Sequence, residues 1–388
     1  MMSERPSFLE FFAGGGMARI GLAELFECTF ANDIDPGKCT AYRANFGSEH
    51  LFEGDIAALR AGDLPGADLA WASFPCQDLS VAGARGGLDA RRSGTFWSFW
   101  RLMQAMATHG RPVSTIVLEN VSGLLSSAGG ADMSAIVCAL ADAGYTVGAL
   151  LLDAADHTPQ SRLRLFIIAT LHAPSNTLAA PDTPPLGTPT ALLAAHAQLP
   201  RRAQDAWTWW TPPRSVSNRP SLSDCVDRAV PDDAWRSRAR LERLLGQMSP
   251  VHRAKVSAAE RDGSFHVGAV YRRMRKGRQA AEVRYDGLAG CLRTLKGGSS
   301  RQLLLITDQG ETRLRPLLPI EGARLMGLPE AYILPDGATA AFNILGDGVC
   351  VPVVRALGEQ ILRPLLQDAE RSELPIGTAR AIFAATGC

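Results

Sequence analysis

The sequence predicts an α/β chain, a mostly parallel sheet with helices on both faces and a smaller second domain set into it. Three observations carry this. Over residues 1–170, short apolar strand-like runs alternate with stretches of helical spacing, the pattern of parallel strands joined by crossover helices. A glycine cluster, Gly14-Gly15-Gly16, follows the first run. Near residue 173 the alternation stops, and a basic stretch intervenes before helical spacing resumes at about 312.

Taken in order, residues 7–12 read as a strand, the glycines as a tight turn and residues 17–25 as a helix. Residues 28–32 form a second strand, ended by Asp33-Ile34-Asp35-Pro36. That proline opens a helix over 38–45, because its fixed φ suits the first helical position. Further strands are expected at 68–73, 115–118, 145–152 and 165–170, with helices near 96–108 and 132–143 between them. Residues 173–200, rich in Pro, Ala and Thr, read as a linker. The basic stretch after it has poor periodicity. Trp207, Trp209 and Trp210 near its start read as the core of a small domain. Helical spacing returns at 321–326 and 348–362, and the last apolar helix is expected to pack back on the first domain. The expected division is 1–174, 175–310 and 311–388, with the first and third segments forming one domain around the middle one.

Composition narrows the function. Hydrophobic residues make up 46% of the 388, enough for a substantial core. No uninterrupted apolar run of 18 residues occurs, so no membrane span is expected. The N-terminus lacks a signal pattern. The 8 cysteines show no CxxC pair and no metal-ligand spacing, which fits a reduced, cytoplasmic chain without structural metal. Net charge is only +1, but it is unevenly spread. Residues 201–301 hold 21 Lys+Arg against 10 Asp+Glu, and the remainder holds 19 against 29. A basic segment in an acidic body is a candidate phosphate-binding face.

Phe12-Ala13-Gly14-Gly15-Gly16 closes the first strand and opens a helix. Glycines there admit a ligand close to the backbone, and a helix N-terminus favours anionic groups. Asp33, about 20 residues on, is placed to accept ribose hydroxyls. Asp55, in Gly54-Asp55-Ile56, is placed to accept from an adenine amino group, with Ile34 and Ile56 packing the ring. Together these three strand ends predict a nucleoside cofactor.

Ser73-Phe74-Pro75-Cys76-Gln77 puts a cysteine just past a strand and before a glycine-rich segment, a setting for a reactive thiol. Glu119-Asn120 ends an apolar strand, where a partly desolvated carboxyl group can donate a proton or hydrogen bond. Arg162 and Arg164, at alternate positions, are expected to share a face and hold an anion or a base edge. Residues 77–94 contain Gly83, Gly86, Gly87 and Gly94 with Arg85, Arg91 and Arg92, as a closing lid would.

In their order these motifs resemble the DNA (cytosine-5) methyltransferases of bacterial restriction-modification type. The resemblance runs along nearly the whole chain except the basic segment. The glycine turn, Asn32-Asp33-Ile34-Asp35 and Gly54-Asp55-Ile56 resemble the cofactor motifs, and Pro75-Cys76-Gln77 the nucleophile motif. Glu119-Asn120-Val121 and Gln160 to Arg164 resemble those that engage cytosine. Glu321, Arg324-Leu325, Gly327 and Pro329 resemble the ninth motif, and Gly346-Asp347-Gly348-Val349 the last. Four departures stand out: Glu10 where the family has Asp, Met17 for a glycine, Asp347 for Asn, and Leu318 for a threonine.

The resemblance implies a class I S-adenosylmethionine-dependent methyltransferase (Rossmann-like) sheet with a target-recognition domain. It implies Cys76 as nucleophile, Glu119 and Arg164 at the cytosine, and Arg162 in the same catalytic group, supporting the neighbouring backbone or Glu119. The cofactor would meet Phe12, Ala13, Gly14, Gly16, Asp33, Ile34, Asp55, Ile56, Pro75, Asp347, Gly348 and Val349. Duplex DNA would meet Gln77, Ser80, Arg85, Arg272, Arg273, Arg275, Lys276, Arg293 and Arg301. The target atom is shielded in a stacked duplex, so the base must flip out, with Ser80-Val81-Ala82 expected to fill the gap. A monomer partnered by a restriction endonuclease for the same site is expected. Two rivals remain: a transfer-RNA cytosine-5 methyltransferase of the same fold, which usually carries Cys-Phe-Thr where this chain has Cys291-Leu292-Arg293, and a non-catalytic DNA-binding regulator.

Overall fold

The protein was analysed as a computed structural model describing residues 5–75, 94–215, 217–275, 277–295 and 301–371. The described residues of Met1–Leu152, Leu163–Arg214 and Val353–Cys388 form one compact unit, and those of Asp153–Arg162 and Ser215–Pro352 form a second.

The first unit is built on β1 (Ser7–Phe11), α1 (Met17–Leu22), β2 (Glu27–Asp33), α2 (Pro36–Phe46), β3 (Leu51–Glu53), β4 (Leu69–Ala72), α3 (Thr95–Thr108), β5 (Thr115–Val121), α4 (Ala131–Asp142), β6 (Thr146–Asp153) and β7 (Leu163–Thr170). The strand order is β3-β2-β1-β4-β5-β7-β6. Strands β3, β2, β1, β4 and β5 run parallel, and β7 runs antiparallel to β5. Every residue of β4, and residues 115–120 of β5, are buried, as expected where both faces of a parallel sheet are covered. Between β1 and β4 the chain reverses its direction of travel across the sheet. In open α/β sheets ligands bind outside the carboxyl ends of the strands at such a switch point.

Two expectations for the segment after β7 are corrected. Residues 173–200 are not a plain linker: they carry β8 (Ala179–Ala180) and α5 (Thr190–Ala197), followed by α6 (Arg201–Asp205) and β9 (Trp209–Trp210), which pairs with β8. Alanine, read as a linker residue, is the strongest helix former, and Leu192 and Ala195 turn inward. The tryptophans are core residues, but of the first unit. Trp207 and Trp209 share a cluster with Leu192, Leu199 and Phe99, and the His196 ring packs at a tilt against both indoles, with centroids 5.2 and 4.8 Å apart.

The second unit contains α7 (Arg238–Gly246), α8 (Pro250–Asp262), β10 (His266–Arg275), β11 (Arg278–Arg284), β12 (Leu303–Asp308) and β13 (Glu311–Pro316). The strands form an antiparallel sheet in the order β11-β10-β12-β13. Leu241, Leu244, Met248 and Val256 of the helical layer pack on Val270, Val283 and Leu305 of the sheet. The poor periodicity of this region reflects short elements with many arginines on open faces. After β13 come α8's successor α9 (Pro319–Leu325), then α10 (Ala338–Asp347) and α11 (Val351–Leu357), a π-helical turn (Gly358–Leu362) and α12 (Arg363–Arg371). Within the first unit, a Cβ on Gly358 would lie 2.9 Å from side-chain atoms of Leu22 and Leu25, so the C-terminal helix packs against α1 as expected.

Two helical runs, 122–142 and 338–369, have mean hydropathies of 1.5 and 1.4 over 18-residue windows. The first is broken by non-helical φ/ψ at Ser127, Ala128 and Gly129, and the second by extended Gly348. Neither is the unbroken helix that a bilayer span requires.

A buried ion pair organises the second unit. Arg315 and Glu321, both fully buried, pair through two guanidinium nitrogens. Glu321 also accepts from the backbone N–H groups of Leu318 (2.7 Å) and Asp227 (2.9 Å). Removing one partner strands the other charge, so Arg315→Ala should cost about 3–5 kcal/mol, read as a lower urea midpoint. The Arg315→Met, Glu321→Leu double variant should recover most of that loss; a double variant as unstable as the single one would contradict this account.

Candidate active site

The glycine turn is fixed by backbone geometry. Phe12, Gly14 and Gly16 have φ of 57°, 57° and 76°, in the left-handed region. A Cβ on Gly16 would lie 2.3 Å from the Phe46 ring, whereas one on Gly14 would enter open space. The Ala13 N–H donates to the Asn32 carbonyl at 2.9 Å. Asp33 locks the turn: its Oδ2 accepts from Gly14 N (2.8 Å) and its Oδ1 from Asp35 N (2.9 Å). A carboxylate retains further acceptor capacity after two such bonds. Ile34 beside it is 63% exposed, and Ile56 is buried. Asp55 caps a short helical turn through Ala57 N. Asn32, to which the sequence reading gave no role, donates to the carbonyls of Phe52 (3.1 Å) and Gly54 (2.8 Å) and so carries the Asp55 loop. Open space at Gly14, an exposed apolar side chain and a strand-end carboxylate suit a nucleoside.

Glu10, the departure from the family's Asp, is buried in β1. Its Oε1 accepts from Arg19 N at 3.2 Å. Burial pushes its carboxyl group up to about 8, with Asp33 adding to the rise and Arg19 opposing it. The Arg19 guanidinium donates to the Tyr42 hydroxyl at 2.8 Å and lies 4.7 Å over the Phe46 ring.

The reacting edge is set by the sheet. Because β7 is antiparallel to β5, its first residues return to the carboxyl end of β5, with Val121 opposite Arg164 and Glu119 opposite Phe166. Glu119 and Arg164 are thus diagonal neighbours, and Arg164 Nε lies 3.2 Å from Glu119 Oε1. Asn120 Nδ2 donates to the Phe74 carbonyl at 2.9 Å, and its Oδ1 accepts from Val121 N. This buried amide, part of a motif in the sequence but given no role of its own there, ties β5 to the segment that ends at Pro75. Cys76, Gln77, Ser80, Arg85 and Lys276 lie outside the described residues, as does the rest of the expected lid up to 93.

The second unit holds the other sequence-predicted residues. Arg162 does not share a face with Arg164, because β7 begins only at Leu163. Its buried guanidinium instead donates to the carbonyls of Leu292 (3.0 Å), Gly346 (2.9 Å) and Gly348 (2.5 Å). Of the two supports that the sequence offered it, these bonds are to backbone. Gln160 works alongside it, donating to the Leu325 carbonyl (3.1 Å) and accepting from Leu292 N (3.0 Å). Gly346 must be glycine, since a Cβ would lie 2.3 Å from Thr294 N. Asp347 is exposed and Val349 buried. A cavity of about 520 Å³ is lined by Tyr271, Arg272, Arg273, Cys291, Arg293 and Arg301. A second of similar size shares Arg272 and Arg301 and adds Trp235, Arg236 and Arg240. Burial and the like charge of Arg236 pull Arg301 below the ordinary arginine value.

A sheet of this order, with a glycine turn after β1 and acidic residues at the ends of β2 and β3, defines the class I S-adenosylmethionine-dependent methyltransferases. Residues 7–363 match the model of the C-5 cytosine-specific DNA methylases. The chain belongs to that family, and is a DNA (cytosine-5) methyltransferase. It is similar to the type II methyltransferase M.NlaX of Neisseria lactamica, 27% identical over 367 residues that cover 94% of this chain and 98% of the relative. M.HpaII of Haemophilus parainfluenzae is 24% identical, covering 94% and 91%. Among solved structures, the S. pombe Dnmt2 methyltransferase has a TM-score of 0.61 at 18% identity, covering 93% of this chain and 99% of its own. EhMeth of Entamoeba histolytica has a TM-score of 0.62 at 14% identity, covering 95% and 99%. These two likenesses are of fold.

Two predictions follow from the site geometry. Folding keeps Glu10 protonated up to about pH 8, while an unfolded glutamate releases its proton near 4.5. Its cost is therefore absent below the lower value, grows through the window and is complete above the upper one, reaching about 3–5 kcal/mol. Glu10→Gln should gain thermal stability over wild type as the pH is raised through that window; a difference independent of pH would refute the assignment. Asn120→Ala leaves the Phe74 carbonyl without its donor. It should lower kcat about 100-fold while leaving cofactor affinity near wild type, as measured by titration calorimetry.

Proposed function

We propose that the chain methylates carbon 5 of cytosine within a specific double-stranded DNA sequence, with Cys76 as covalent nucleophile. The observation that supports this is the shared strand edge. The segment leaving β4 reaches Pro75, β5 brings Glu119, and antiparallel β7 brings Arg164 into contact with it. Cys76 follows Pro75 in the sequence.

In this reading the Cys76 thiolate adds to carbon 6 of a flipped cytosine, and the electron pair of the 5,6 double bond makes carbon 5 nucleophilic. Glu119 hydrogen-bonds ring nitrogen 3 and the amino group, stabilising charge on the ring. Arg164 holds both Glu119 and the ring carbonyl oxygen. Carbon 5 takes the sulfonium methyl group that bound S-adenosylmethionine would supply, and the sulfur keeps the electron pair and leaves as S-adenosylhomocysteine. A base then takes the proton from carbon 5, and the re-formed double bond expels the thiolate. Phe12, Ala13, Gly14, Gly16, Asp33, Ile34, Asp55, Ile56 and Pro75 hold the cofactor in the first unit. Asp347, Gly348 and Val349 are assigned to it by motif. Arg272, Arg273, Arg275, Arg293 and Arg301, with Gln77, Ser80, Arg85 and Lys276, meet DNA. Guanidinium groups clustered around shared cavities suit phosphates and base edges. A cytoplasmic monomer, working beside an endonuclease for the same site, fits relatives named as type II methyltransferases.

Bisulfite sequencing of duplex DNA incubated with protein and S-adenosylmethionine should show protected cytosines in one sequence context. Glu119→Gln should lose about 100- to 10,000-fold in rate, and Cys76→Ala more. Labelled methyl groups found in transfer RNA and not in DNA would overturn the reading.

A further inference from the structure

The β10–β11 hairpin carries an arrangement that the general DNA-binding reading leaves unused. Its register places Tyr271 opposite Glu282, Arg273 opposite Ala280 and Arg275 opposite Arg278, so these residues share one face of the ribbon. Glu282 binds two of the three arginines of β10, Arg273 and Arg275. Its Oε1 accepts from Arg275 Nη2 (2.9 Å) and Nε (3.2 Å), and its Oε2 lies 3.4 Å from Arg273 Nε. Ala280, short and opposite Arg273, lets Arg275 reach back past it. The Arg273 guanidinium also lies 5.9 Å from the Tyr271 ring centroid. Both arginines are more than half exposed, at 55% and 61%, whereas Glu282 is only 24% exposed.

Exposed ion pairs do little for folding, so a half-buried carboxylate shared by two outward arginines calls for another role. Residues two apart on an antiparallel strand are about 6.8 Å apart, which equals two base steps of about 3.4 Å. A two-stranded ribbon fits the major groove, and arginine reads the O6/N7 edge of guanine in bidentate fashion. Glu282 meets Arg273 at Nε and holds Arg275 along its Nε–Nη2 side, and a guanidinium held on that side keeps its end-on pair of N–H donors for a base edge. Bracing both side chains before DNA arrives removes rotamer freedom that reading would otherwise have to freeze.

We infer that Arg273 and Arg275 are specificity-determining residues that read two guanines separated by one base pair, and that Glu282 is the positioning residue that aligns them. This rests on the reading of the chain as a DNA methyltransferase. It predicts a recognition sequence containing two G·C pairs two steps apart.

The test is methylation of a plasmid library with randomised flanks by the full chain and by Arg273→Lys, Arg275→Lys and Glu282→Gln, scored by bisulfite sequencing. Each lysine variant keeps its charge but loses the bidentate edge, so discrimination should fall about 5- to 150-fold at one G·C pair. Glu282→Gln should relax both pairs together, with an unchanged thermal midpoint. Wild-type site preference in all three active variants, or a uniform loss of methylation across all sequences, would overturn the inference and leave the enzyme reading intact. A wild-type chain that modifies no DNA would overturn the enzyme reading, and this inference with it.

Discussion

The reacting edge depends on one feature of topology, the reversal of β7 beside β5. A parallel β7 would have sent Arg164 to the far end of the sheet. Running backwards, it sets Arg164 against Glu119 at the carboxyl edge, where the turns of a doubly wound sheet already open. Asn120 then ties that edge to the backbone of Phe74, two residues before Cys76 in sequence. The pairing is one of register, so a slip of one residue would turn Glu119 to the other face.

Buried carboxylates do the quieter work. Asp33 uses both oxygens on backbone N–H groups and gives the glycine turn its shape before any ligand arrives. Glu10, one methylene longer than the family's Asp, extends into a closed space beside Arg19 and is held largely protonated at neutral pH. In the second unit Glu321 and Arg315 join three chain segments, and Arg162 gathers three backbone carbonyls that no helix or strand satisfies. Each is an interior polar group anchored to the chain around it, although Glu10 Oε2 and Arg315 Nε have no hydrogen-bond partner among the described residues.

Much of this was legible in sequence because it is local. Six of the seven strands of the first unit's main sheet fall within a few residues of their expected positions, since alternating apolar runs and turn residues dictate them. The glycine turn, Asp33 and Glu119 could be placed because they lie at strand ends. What stayed hidden depends on long-range pairing. Arg162 and Arg164 are two residues apart in sequence, but only the start of β7 shows that Arg162 lies outside the strand and which carbonyls it reaches. Asn120, Asn32 and Arg315 act on carbonyls or carboxylates far along the chain or across a sheet, and nothing local marks them. The alanine-rich stretch before β9 was misread because its helix is short and its burial depends on tryptophans that follow it.

The most direct test of the central claim is covalent trapping. A duplex carrying 5-fluorocytosine at the target position blocks loss of the carbon 5 substituent, so the adduct should persist. Incubated with the protein and S-adenosylmethionine, it should give a denaturant-stable complex whose single cross-linked peptide contains Cys76. No adduct, or an adduct mapped to another of the cysteines, would contradict the account.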